Sequence, residues 1–290
     1  MPNVVNTAAG YGSLSTGIFN GEAWSTLMNW KFYEQSLVRA ITNSRWEGEV
    51  KQQGTVNIRN RLDISVNPYQ RGAKINYQEL TDTLVQLKTD QAELAAWSVD
   101  EIDLNQTNMD IQKELTFDAS QMVSDAVDIN VLANIYSDAT SSITQSVINK
   151  VNVLEWLAIA YRKLSKLKVP KRGRWAVLPP EIIELISISD LKNASLSGHG
   201  STIIDGIALN GKIKMKVAGF DIYESNNIAT VASVFRCVAG HPTAVAFANS
   251  FQKSKKIDLI DSVGEAIQSL NVYGFKTTKA DALVDMPATT

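Results

Sequence analysis

Few residues in this chain have the types and spacing that chemistry needs. Cys237 is the sole cysteine, and His199 and His241 are the sole histidines. Cys237 and His241 stand four apart, but across the boundary between an apolar strand-like stretch and Gly240-His241-Pro242. That boundary does not hold a nucleophile against a base. His199 sits in Gly198-His199-Gly200, which imitates a phosphate loop without the preceding strand. No Cys or His cluster has zinc spacing, and Asp100, Asp103 and Asn105 lack the glycine and closing glutamate of a calcium loop. Neither GxxxxGK[ST] nor GxSxG occurs. No catalytic residue, metal or cofactor is expected.

The charges are more informative. Asp110, Glu114, Asp118, Asp125 and Asp128 fall within an arc of about 80° on an ideal helix. Lys113 is the only base between Glu101 and Asp138. Carboxylates four apart repel by a few tenths of a kcal/mol, so this is either a solvated acidic face or one that meets a basic partner. Further on, Arg162, Lys163, Lys166, Lys168, Lys171, Arg172 and Arg174 follow with no acid between them. Helix-end complementarity to the macrodipole explains part of that run. The rest could meet an acidic neighbour or DNA.

The acidic residues require a long helix to line them up. Leu104, Asn108, Ile111, Leu115, Ala119, Met122, Ala126, Ile129, Ala133 and Tyr136 recur at steps of three and four, which predicts a helical stripe. Ser98 and Glu101 have capping-box spacing. A helix from there to Ala139 would be roughly 50–60 Å long. Upstream, Trp24 to Ile41 predicts a short amphipathic helix, after an Ala/Gly/Ser/Thr-rich arm. From Glu49 the period is two: Val56, Ile58, Leu62, Ile64 and Val66 alternate with polar residues. Asn67-Pro68-Tyr69-Gln70-Arg71-Gly72 is a turn, and Ile75 to Thr89 a second extended run. The two form a long ribbon, marginal by itself in water.

Asn152 and Glu155 repeat the cap spacing ahead of a helix closed by Pro170. Trp175–Leu178 reads as a buried strand, and Pro179-Pro180 opens a helix through Ile186. The glycines between Ser195 and Gly211 predict a soft segment. Strands are expected at Lys212–Val217, Ile257–Ile260, Ser269–Phe275 and Ala282–Val284, and a hairpin around Gly240-His241-Pro242.

The chain has 290 residues, 44% hydrophobic and 20% charged, with a net charge of −2. That composition suits an α+β globular protein and gives no global field for nucleic acid or membrane. A single cysteine rules out an intramolecular disulfide framework. No window approaches the apolar length of a membrane span.

Five landmarks in order resemble the major capsid proteins of tailed bacteriophages. They are Ser44-Arg45-Trp46-Glu47-Gly48-Glu49-Val50 before the alternating strand, and Ala96-Trp97-Ser98-Val99-Asp100-Glu101-Ile102-Asp103 before the long helix. Arg174-Trp175-Ala176-Val177-Leu178-Pro179-Pro180 and Ala218-Gly219-Phe220-Asp221-Ile222-Tyr223-Glu224-Ser225-Asn226-Asn227 follow. Tyr273-Gly274-Phe275-Lys276 with Asp281-Ala282-Leu283-Val284 closes the series. The resemblance implies the Hong Kong 97-type shell fold. On that reading residues 1–44 are an N-terminal arm and 45–95 the E-loop β-ribbon. Residues 96–180 form a peripheral domain on the spine helix, 181–268 an axial domain, and 269–290 the returning C-terminal strands.

The implied function is a non-catalytic head protein. It would self-assemble as hexamers and pentamers into an icosahedral virion shell around packaged dsDNA, in the host bacterial cytoplasm. Implied partners are a portal, a decoration protein in some shells, and a separate scaffolding protein, since the chain has no room for a long scaffolding segment. An encapsulin-type nanocompartment shell is the alternative, and a soluble hydrolase using His199 or His241 a remote one. In the implied fold the ribbon crosses a neighbour near its spine helix. Residues 45–74 carry six basic and three acidic residues, against eight acids and one base in 101–138. Arg59, Arg61 and Arg71 are therefore the candidates to face Asp110, Glu114 and Asp118 of another copy.

Overall fold

The computed structural model describes residues 34, 36–59, 84–100, 111–189, 212–259 and 264–289, and positions 64, 66, 68, 71, 72, 74, 77 and 78. The expected soft segment 195–211, His199, and most of the helix expected from Trp24 to Ile41 lie outside them. Of that helix, α1 (Val38–Ile41) is described.

The ribbon begins later than its alternation suggested. Residues from Glu49 to Gln53 belong to a helix, α2 (Glu47–Gln53), which ends on Gly54 at φ 69°. Strand β1 (Thr55–Arg59) then pairs antiparallel with β2 (Leu84–Lys88), Val56 opposite Leu87 and Ile58 opposite Val85. Val56, Ile58 and Leu87 are buried with Val50, Ala246 and Ala248, against Trp46. The ribbon base thus has a small core of its own. Farther out the same even-numbered pattern meets water: Ile64 is 75% exposed and Val66 92%, with Tyr77 at 89%.

The run after the ribbon is a strand where a helix start was expected. β3 (Gln91–Asp100) pairs along its length with β12 (Gly264–Thr277), which in turn pairs with β11 (Val245–Asp258). Ser98 lies in β3 opposite Ala266, so it does not cap the helix. Local capping spacing lost here to a long partner strand that matches the alternation of Gln91–Asp100. The spine helix, α3, is described over Ile111–Ile135, about 37 Å at 1.5 Å per residue, and is followed by a 3₁₀ turn at Tyr136–Asp138.

Its buried face also differs from the expected stripe. Ala119, Val123, Val127, Val131 and Ile135 are buried, whereas Met122 and Ile129 are about half exposed. Residues four apart drift by about 40° around a helix, so this face rotates along the axis. Near its start it lies over β3 and β12; near its end it meets Leu37 and Ile41 of the arm. By residue 128 the rotation has reached the acidic arc, and Asp128 is buried.

The main core is a mixed sheet. β4 (Ser141–Ser142), β13 (Leu283–Thr289), β10 (Val234–Gly240), β6 (Trp175–Leu178), β8 (Phe220–Glu224) and β7 (Lys212–Val217) lie in that order. β5 (Ser146–Val147) joins β13, and β9 (Thr230–Val231) joins β10. Helices α4 (Val153–Lys166) and α5 (Pro180–Ile188) pack on it through Trp156, Leu157, Leu164, Ile182 and Ile186. At the start of α4 the Asn152 side chain does not cap; its Oδ1 accepts from the Asn149 N–H at 2.8 Å instead.

No hairpin joins β10 to β11. His241 caps the start of a 3₁₀ turn, Pro242–Ala244, and the chain leaves one sheet for the other there. The Ala244 carbonyl accepts from the Thr278 and Lys279 N–H groups, so the strand returning to β13 is pinned at the same junction.

Where the ribbon crosses the three-stranded sheet, Gly274 is the contact point. A Cβ there would overlap the Lys88 carbonyl oxygen and sit 2.8 Å from Thr89 Cα. A Gly274→Ala variant is expected to lose about 1–3 kcal/mol, the usual penalty of overpacking. Gly48→Ala, in α2 with open space around it, is the matched control and should be neutral or slightly stabilising. Denaturant unfolding of the two variants measures the difference.

Candidate functional site

Among the described residues, three regions carry groups that face outward or join one element to another. The first is the ribbon root. Thr89 donates both its N–H and its Oγ1–H to the Gly54 carbonyl, each at 3.2 Å. With Gly274 beneath, this clasp fixes where the ribbon leaves the body.

The second region joins the arm to the spine helix. Asp128 Oδ2 accepts from the Leu37 N–H at 2.7 Å, and Oδ1 from Ser36 Oγ at 2.8 Å. Burial of the carboxylate pushes its pKa up to about 6, against the pull of the Leu37, Ser36 and Val38 donors. One turn earlier, Asp125 is also raised, by burial first and by Glu34 second, with Asn227 opposing. Glu34 in turn accepts from the Asn226 N–H at 3.0 Å through both oxygens. Asp128, part of a stripe that the sequence left as either solvated or facing a basic partner, is thus a clip for the arm. The signal available in sequence was the apolar Val127 and Val131 beside it.

The third region is a groove of about 530 Å³ between β3 and the spine helix, lined by Leu94, Trp97, Leu115, Asp118, Met122 and Val123. Of its lining, Leu94 and Met122 are exposed apolar residues; Phe117 and Ile129 are exposed elsewhere on the spine helix. Nearby, Asn130 Nδ2 donates to Tyr273 Oη at 2.7 Å and ties the helix to the sheet.

The candidate contact residues divide among these places. Arg59 is exposed at the end of β1, and Arg71 is exposed in a turn beside Gly72 at φ 85°. Asp118 is half-buried at the groove. Glu114 lies on the spine helix without a described side chain, and Arg61 and Asp110 lie outside the described residues. Within one copy the ribbon arginines and Asp118 are not brought together by any contact among the described residues.

The residues first considered for chemistry are otherwise engaged. Cys237 is buried in β10 opposite Met286, and burial drives its thiol pKa far up. His241 Nδ1 accepts from the Thr243 N–H at 3.2 Å, and Nε2 donates to the Arg172 carbonyl at 3.1 Å. Its pKa is lowered, by burial first. Neither ring nitrogen points at Cys237.

No sequence-family profile matches the chain, and no curated protein does. Solved structures do match. One from Mycobacterium phage Che8 is 24% identical, covers 92% of this chain and 96% of its own, and superposes with a TM-score of 0.80. The capsid structure of the cyanophage P-SCSP1u is 13% identical, covering 94% of both chains at a TM-score of 0.72. The capsid of Ralstonia phage GP4 is 11% identical, covering 96% of this chain and 98% of its own, at 0.68. The class is therefore the phage-capsid fold: α+β, of the Hong Kong 97 type that the five sequence landmarks implied.

The clip makes stability depend on pH with a definite sign. A carboxyl whose pKa is raised on folding favours the folded state when neutral. That contribution is full below the unfolded value of about 4 and is lost as pH rises through about 6. Asp128→Asn removes this titration, since the amide oxygen can accept from Leu37 N–H and the amide nitrogen donate to Ser36 Oγ. Relative to that variant, the natural chain should gain up to about 3 kcal/mol between pH 8 and pH 4. Urea unfolding at four pH values checks it; parallel profiles would exclude Asp128.

Proposed function

We propose that this chain is the major capsid protein of a tailed bacteriophage, a non-catalytic subunit that builds the shell holding the packaged dsDNA. The observation that carries the reading is the two-way coverage: whole capsid chains align with nearly all of this one. No insertion large enough for a separate catalytic domain breaks those alignments. Residues 1–44 then serve as arm, 45–95 as E-loop ribbon, 96–180 as peripheral domain, 181–268 as axial domain, and 269–290 as the returning strands. The virion is its location, assembly takes place in the host cytoplasm, and scaffolding, portal and decoration proteins are its partners beyond other copies of itself.

The exposed ribbon supports the same reading. Ile64, Val66 and Tyr77 project into solvent in the single chain, and a two-stranded ribbon of that length needs a surface to lie on. Arg59, Arg61 and Arg71 meet Asp110, Glu114 and Asp118 of an adjacent copy. Each exposed pair contributes only about 0–1 kcal/mol, but every copy in the shell repeats it.

Electron microscopy of the purified protein, expressed with and without candidate scaffolding protein, should show closed shells. Discrete small particles under all conditions would refute the capsid reading, and protein cargo inside native shells would favour the nanocompartment. Arg59, Arg61 and Arg71 changed together to Gln should lower assembly yield at low salt and flatten its salt dependence. Yields that match the natural chain across salt would remove the charge pairing while leaving the shell function standing.

A further inference from the structure

The basic run from the end of α4 into the loop after it is built in two layers, which sequence alone did not separate. Arg174 forms the inner layer. It is fully buried, yet its guanidinium donates to four groups: the Pro170, Tyr161 and Val169 carbonyls and Ser165 Oγ, at 2.7–3.2 Å. It also lies 4.4 Å over the Tyr161 ring. Such a clamp holds the 167–173 loop to the helix end in one shape. Two left-handed residues, Lys168 at φ 58° and Gly173 at φ 74°, turn the loop outward.

The outer layer is what that clamp presents. Arg162, Lys166, Lys168, Lys171 and Arg172 are exposed, and among the described residues none makes an ion pair. No acid occurs between Glu155 and Glu181. Lys279 extends the patch across the sheet junction: Arg172 accepts through its carbonyl from His241, and the charges of Arg174 and Lys279 both lower that histidine's pKa. Helix-end complementarity accounts for Lys163 and Lys166; Lys163 additionally donates to the Ser142 carbonyl at 2.7 Å. It does not account for Lys171 and Arg172, which lie beyond the helix.

The chemistry of the patch discriminates between acidic partners. Protein interface cores are rich in aromatics, Met and Arg and depleted in Lys. Here Leu167 is the one exposed large apolar residue on the described loop, and three of the five exposed cations are lysines. Unpaired, lysine-rich and polar surfaces are those that neutralise phosphates. We infer that the 162–172 segment, the last turn of α4 and the loop after it, is a sequence-independent docking surface for the phosphodiester backbone of nucleic acid, and so faces the lumen of the shell. This rests on the capsid reading for the lumen and on the segment alone for the binding.

Two measurements separate these. Binding of a labelled 30-base-pair duplex by the soluble subunit is followed by anisotropy against salt, where each neutralised phosphate adds about 0.9 to the slope of log K on log salt. The natural chain should give a slope of about 3–5 in magnitude, set by its five cations. Arg162, Lys166, Lys171 and Arg172 changed to Gln should bind more than tenfold more weakly and lose most of that slope. A ribbon variant, Arg59, Arg71 and Lys74 to Gln, should bind as the natural chain does. Equal loss in both variants, or polyglutamate-blocked self-association in place of duplex binding, would overturn the assignment. On closed shells, a bulky amine reagent unable to pass the wall should leave Lys168 and Lys171 unlabelled; labelling from outside would overturn the lumenal placement. Failure to form shells would count against the capsid reading only, because the duplex measurement uses the unassembled chain.

Discussion

The crossing of the ribbon over the three-stranded sheet is the constraint on which the rest depends. A two-stranded ribbon cannot bury enough surface to hold itself in place. Here its base is pressed between α2 and β11 and clasped to Gly54 by Thr89. Beneath it Gly274 leaves room for the backbone of Lys88. Farther along the chain, Ile64, Val66 and Tyr77 are exposed. The fold thus fixes where the ribbon leaves the body and leaves Ile64, Val66 and Tyr77 open to solvent.

The spine helix shows the same division between internal and external surfaces. Its short side chains, Ala119 and the valines, lie against the chain's own sheet and core, while Phe117, Met122 and Ile129 remain outward. Large flexible side chains such as methionine adapt to surfaces whose shape is set by another molecule. The helix is rigid where it meets its own sheet, through Asn130 and Tyr273. It is titratable where it meets the arm, through Asp128.

Charge also does structural work inside the chain. Arg236 and Asp285 pair at 3.3 Å between β10 and β13, with Tyr136 under the guanidinium. Arg174 spends its donors on the backbone. An arginine buried without a carboxylate is stable only where its fork is filled by carbonyls and hydroxyls, and four such groups surround it.

The sequence by itself determined the periods. Alternation at Val56 and Ile58, the apolar run Trp175–Leu178 and the proline start of α5 were legible because each depends on neighbours within a few residues, while the phage-capsid fold was legible only through the resemblance that five landmarks in order carried. Tertiary structure alone decided the rest. Ser98 had the spacing of a helix cap, but β12 offered it a strand partner. Asp128 belonged to an acidic arc, but the rotation of the buried face carried it inside, against Leu37, some ninety residues away in the chain. His241 stood in a hairpin sequence, but the Ala244 carbonyl and the returning strand sent the chain into a second sheet. In each case a contact between distant residues outweighed a local preference of about a kcal/mol, and no local pattern records which distant partner will arrive.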